Sequence, residues 1–160
     1  MLKLGYLDED KSNRTTFARQ FENDFKIFMF EDMNKIASLD GLLETLEYER
    51  LDALAVDYQL SGNGKPTYDG DEVVSFLEQR KKYFPVFMVT SYVDDALDKM
   101  NDVFLVNDKD RLDDDTYRND LIDKVKKAVD SYHRRVETIE EKARALESKQ
   151  KTEAGLTDEE

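Results

Sequence analysis

Apolar residues in this chain fall into five short runs, each followed by a stretch in which they recur every three or four places. The runs are LKLGYL (2–7), FKIFMF (25–30), ALAVDY (53–58), PVFMVT (85–90) and DVFLVN (102–107). They are rich in β-branched and aromatic residues and do not alternate cleanly with polar ones. That is the pattern of strands covered on both faces, as in a parallel sheet. Between them, KSNRTTFARQFENDF, ASLDGLLETLEYERL, GDEVVSFLEQRKKY and a shorter YVDDALDKM read as helices. The alternation predicts a doubly wound α/β domain. In such a domain functional groups gather outside the carboxyl ends of the strands, near the point where strand order reverses.

From about Tyr117 the period changes. Leu121, Val125, Ala128, Tyr132, Val136, Ile139, Ala143 and Leu146 follow one another at spacings of three and four, and neither Gly nor Pro intervenes between Thr116 and Glu153. This predicts one long helix whose first part covers the sheet. The rest overshoots the domain as a coiled-coil stripe with one extra step of four. The expected division is a globular domain over 1–130, a helical extension over 131–152, and a segment over 153–160. Gly155 is expected to stop the helix there, leaving a flexible tail or the start of an output domain.

Composition narrows the chemistry. The net charge of −13 argues against nucleic acid and against an anionic membrane surface. The chain has no cysteine and one histidine, which excludes disulfides, thiolate metal sites and Cys nucleophiles and disfavours a multi-His centre. No apolar run is long enough to span a bilayer and no signal-peptide pattern opens the chain, so the expected compartment is the cytosol. Any chemistry must come from carboxylates, hydroxyls and lysine.

Those residue types collect at the predicted strand ends. Strand one runs into Asp8-Glu9-Asp10, strand three into Asp57, strand four into Thr90-Ser91, and Lys109 comes two residues beyond strand five. Each has a plain alternative: Asp57 as a turn residue, Asp10 or Ser12 as a helix cap, Thr90-Ser91 as the cap of helix four, Lys109 as a solvated lysine. Close carboxylates raise one another's pKa unless a cation lies among them, and a hard, oxygen-rich site suits Mg²⁺. With a lysine and a hydroxyl added, the set can hold a phosphoryl group while a carboxylate attacks in line.

YLDED, LAVDYQLSG, PVFMVTSY and VFLVNDKD, in that order over Leu2 to Val129, make the chain resemble the receiver domain of two-component response regulators. The resemblance implies a flavodoxin-like five-stranded parallel sheet of order 2-1-3-4-5. Its partner would be a histidine kinase or phosphotransfer protein, and its role regulatory rather than enzymatic. It also implies that Asp57 accepts the phosphoryl group. Asp8, Glu9, Asp57 and the main-chain carbonyl of Gln59 would hold Mg²⁺, Thr90 and Lys109 would steady the phosphoryl oxygens, and Thr90 with Phe104 would form the switch. Three features depart from the family pattern: a long loop in DYQLSGNGKPTYDG, a lysine followed by Asp110, and a short fourth helix. Two other readings remain. One is a haloacid-dehalogenase-type phosphatase with Asp8 as nucleophile and Asp10 as acid/base. The other is a degenerate receiver acting only as an interaction module. The extended stripe further predicts a homodimer through the C-terminal helix.

Overall fold

In the computed structural model the backbone is described over residues 1–159 and side chains through residue 152. Strands and helices alternate: β1 (Lys3–Leu7), α1 (Lys11–Phe21), β2 (Lys26–Met29), α2 (Leu39–Tyr48), β3 (Ala53–Val56), α3 (Gly70–Arg80), β4 (Val86–Thr90), α4 (Val93–Lys99), β5 (Val106–Asp108) and α5 (Asp115–Glu159). The strands form one parallel sheet of order β2-β1-β3-β4-β5, the flavodoxin-like arrangement expected.

Two apolar layers sandwich the sheet, and the two-residue period of a strand decides which residue joins which layer. On one face Leu54, Val56 and Val86 pack against Leu42 and Leu46 of α2 and Val73, Val74 and Leu77 of α3. On the other, Leu4, Tyr6, Ala53, Ala55, Phe87 and Val89 meet Phe17 and Phe21 of α1 and Leu121, Ile122, Val125 and Val129 of α5. All four residues of β3 are buried, which explains its unbroken apolar run. Local chemistry sets the helix starts: Asp10 accepts the N–H groups of Ser12 and Asn13, Ser38 accepts that of Gly41, and Asp69 and Glu72 form a reciprocal capping box.

Three sequence expectations are corrected here. The fifth strand begins at Val106, not Asp102, because residues 103–105 form a 3₁₀ turn whose Phe104 N–H is capped by the Asp102 carboxylate. Such a side-chain bond competes with the sheet ladder. On α5 the buried residue is Val129, while Ala128 faces solvent, so the sheet-covering face is rotated from the predicted stripe. Gly155 does not stop α5, whose backbone stays helical to Glu159. A single helical glycine costs only about 1 kcal/mol and need not end a helix.

Beyond Val129 the helix leaves the domain gradually. Tyr132 packs edge-on against Phe84, with ring centroids 5.6 Å apart, and Arg135 lies over the Tyr83 ring at 4.2 Å. His133, half exposed, stands 3.6 Å from Asp52. Past Val136 the stripe is in solvent: Ile139 is 59% and Leu146 60% exposed.

Candidate functional site

β1 and β3 are neighbours with Leu7 opposite Val56, so the next residues, Asp8 and Asp57, leave the sheet side by side. The Asp57 N–H donates to the Leu7 carbonyl at 3.0 Å. After β1 the chain turns outward to β2, and after β3 it turns the other way to β4, so a crevice opens between these two strand ends.

Lys109 directly follows β5, which corrects the expected two-residue displacement: the strand simply ends later, at Asp108. Tyr117 fixes that end, its hydroxyl accepting the Asp108 N–H at 2.9 Å. From there the lysine stem reaches back across β4. Its Nζ lies 2.9 Å from Asp8 Oδ2 and 3.2 Å from Asp57 Oδ2. Asp8 is fully buried and Asp57 is 5% exposed, so these ion pairs are largely shielded from water. Thr90, also fully buried, accepts the Tyr92 N–H and favours the ionised form of Asp57. The Tyr58 N–H holds the other Asp57 oxygen at 2.8 Å.

Glu9 leans over the turn at Ser61–Asn63. Any side chain at Gly62 would press on its carboxylate. Its Oε2 is buried with no hydrogen-bond partner. Arg14 clamps the acidic pair from behind, donating to the carbonyls of Asp8 and Glu9 at 2.9 and 3.1 Å. Asp69 ties down the long loop by accepting from the Leu60 N–H, the Ser61 N–H and the Ser61 hydroxyl. That loop carries Gln59.

The cluster sets three carboxylates against one ammonium in a largely buried place. Burial, opposed by Lys109 and reinforced by Asp8, leaves the Asp57 carboxyl above its ordinary range. Burial and then Asp8 and Asp57 do the same to Glu9. Burial pulls Lys109 down, but Asp57 and Asp8 more than offset it and hold its ammonium above the usual lysine value. A carboxyl raised on folding weakens the fold as pH rises through the carboxylate range, because the unfolded chain ionises first. Asp57→Asn should therefore be more stable than wild type near neutral pH, with the difference vanishing in acid below the unfolded aspartate value. Denaturant titrations at the two pH values measure this directly.

An orphaned carboxylate oxygen beside two buried aspartates is the donor chemistry of a hard divalent cation, so Asp8, Glu9 and Asp57 fit Mg²⁺ in kind. They are not gathered in advance: among the described residues no three acidic side chains form a ready metal cage. Lys109 lies between Asp8 and Asp57, and Glu9 is turned toward the loop.

The structure thus brings together Asp8, Glu9, Asp57, Thr90 and Lys109. It separates Phe104, which is 91% exposed on the turn before β5, at the amino end of that strand and away from the carboxyl-end site. Asp10, the proposed acid/base of the phosphatase reading, spends its carboxylate capping α1. Sequence reasoning missed Tyr6, Arg14, Asp69 and Tyr117. Two of these had a readable signal: Tyr6 shares a strand face with Asp8 by the two-residue period, and Asp69-x-x-Glu72 has capping-box spacing.

No family model and no curated protein matches the sequence. Solved structures do. A signal receiver domain of an HD domain-containing protein from Pseudomonas fluorescens Pf-5 superposes with a TM-score of 0.62 at 14% identity, covering 85% of this chain and 92% of that one. A response regulator receiver domain protein from Clostridium thermocellum gives 0.58 at 16% identity over 82% and 96%. This chain has the receiver-domain fold. A structure described as adenylate cyclase from Rhodopirellula baltica also matches, at 0.63 and 19% identity over 86% and 96%. Within this fold the long loop after β3 is held by Asp69, and α4 spans only Val93–Lys99.

Proposed function

We propose that this chain is a signalling receiver that accepts a phosphoryl group on Asp57 from a histidine kinase or phosphotransfer protein. The observation that carries the reading is Lys109 bridging Asp8 and Asp57 at the crevice between β1 and β3. In the transfer, an Asp57 carboxylate oxygen bonds to phosphorus as the bond from phosphorus to the donor breaks and its electron pair leaves with the donor. Tyr58 N–H fixes the aspartate, and Lys109 and Thr90 supply donors for the phosphoryl oxygens. Mg²⁺, held by Asp8, Glu9, Asp57 and the Gln59 carbonyl, would neutralise charge developing on the transferred group. The role is regulatory, with only self-catalysed transfer and loss of the phosphoryl group. The acidic surface weighs against nucleic acid, and no described helix is long and apolar enough to cross a membrane. The compartment in keeping with a kinase partner is the cytoplasm.

The test is intact-mass analysis after incubation with Mg²⁺ and acetyl phosphate. One phosphoryl adduct should form and be absent from Asp57→Asn. An adduct that survives Asp57→Asn and is lost from Asp8→Asn reverses the assignment in favour of the phosphatase reading. No adduct on any chain leaves only an interaction module.

The same reading makes α5 the output. Tyr132, Val136, Ile139, Ala143 and Leu146 follow a four-three spacing, and pairing two copies in parallel would bury Ile139 and Leu146 at roughly 25 cal/mol per Å² of apolar surface. Sedimentation should show a concentration-dependent dimer that Ile139→Glu with Leu146→Glu converts to monomer. A wild-type chain that stays monomeric at high micromolar concentration, with and without fluoroberyllate, removes the dimer.

A further inference from the structure

Asp8 is fully buried, and three donors meet its carboxylate. Oδ1 accepts the Asp10 N–H at 2.9 Å, while Oδ2 accepts both Lys109 Nζ at 2.9 Å and the Tyr6 hydroxyl at 2.6 Å. Tyr6 is itself buried, and its ring is stacked on Phe17 at 3.9 Å with 6° between planes; Phe17 stacks in turn on Phe21 at 4.4 Å. The hydroxyl therefore has little freedom to turn away from Asp8. A carboxylate offers about four lone-pair positions, and here three are taken. A metal ion approaching Asp8 meets one open position and a competitor already bound to each oxygen.

We propose that Tyr6 is a positioning residue that sets the metal affinity of the site, its hydroxyl filling an acceptor position on Asp8 Oδ2 and keeping Asp8 in the Lys109-paired state. This rests on the receiver reading given above. The consequence is a resting site that takes Mg²⁺ weakly. Without the hydroxyl, a buried carboxylate is left one donor short and takes a cation more readily. The hydroxyl acts on Asp8 and not directly on Asp57, since its hydrogen bond goes to Asp8 Oδ2 alone.

Tyr6→Phe removes the hydroxyl and keeps the stacked ring. Calorimetric titration with Mg²⁺ should show affinity rising roughly 3- to 10-fold, a fraction of what a hydrogen bond to a charged group contributes. Thermal denaturation should show the metal-free variant less stable than wild type, with saturating Mg²⁺ closing the gap. Phe17→Leu serves as the companion variant: it disturbs the same layer, keeps the hydroxyl, and should lose stability with Mg²⁺ affinity within about twofold of wild type. Unchanged or weaker affinity in Tyr6→Phe overturns this inference alone and makes the tyrosine a structural residue. Absence of Mg²⁺ binding by the wild-type chain overturns the metal part of the receiver reading and this inference with it.

Discussion

Lys109→Met should lose about 3 kcal/mol of folding stability, the lower end of what removing one partner of a buried ion pair costs. Methionine keeps most of the apolar stem, so the loss reports the ammonium and not a cavity. Without it, Asp8 retains two donors and Asp57 retains the Tyr58 N–H, but two buried carboxylates face each other with no cation. Two conditions should reverse the loss. Millimolar Mg²⁺ should restore part of it by taking the place of the lysine. Acidification should also shrink it, since Asp57, whose carboxyl is already raised, takes up a proton early in the descent. Urea titrations with and without Mg²⁺, at neutral and acid pH, measure all three effects. A loss indifferent to both metal and pH would mean that Lys109 serves packing only.

Gly70→Ala should be nearly as costly, about 2–3 kcal/mol from overpacking against backbone that cannot yield. A Cβ at this position would stand 2.3 Å from the Asp57 carbonyl oxygen and 3.0 Å from both the Asp57 carbonyl carbon and Tyr58 Cα. The Gly70 N–H donates to the Tyr58 carbonyl at 2.8 Å, so α3 starts pressed onto the end of β3. Relief of the clash must move either helix or acceptor, and a shift of about 1 Å in a reacting group can slow a reaction roughly 100-fold. Chemical denaturation and the rate of adduct formation from acetyl phosphate should therefore fall together. A Gly70→Ala chain with wild-type stability and rate would contradict the close packing that positions Asp57.

The alternation of apolar runs and amphipathic stretches carried the fold, because strands buried on both faces and helices buried on one leave different periods in the sequence. Strand-end residues carried the site for the same reason: parallel strands put their carboxyl ends on one edge, so Asp8, Asp57, Thr90 and Lys109 converge though they lie far apart in the chain. What was not legible depended on local competition. Asp102 turns residues 103–105 into a 3₁₀ turn, and this moved both the start of β5 and the reading of Phe104. The same shift explains why Lys109 read as displaced when it directly follows its strand. Along α5, a stripe of spacings does not say how the helix is rolled against the sheet, so the spacing includes Ala128, which is exposed, and omits Val129, which is buried. The two-residue period puts Tyr6 on the same strand face as Asp8 but does not say that its hydroxyl bonds Asp8, since a buried tyrosine reads like any other aromatic.

On the proposed reading, Asp57 is the group that receives phosphorus, with Asp8 and Lys109 serving it. An acyl phosphate on aspartate is reduced by borohydride to homoserine, which marks the acceptor permanently. Peptide mapping of the chain after reaction with acetyl phosphate and Mg²⁺, followed by borohydride, should place homoserine at position 57. Homoserine at position 8 instead would contradict the account.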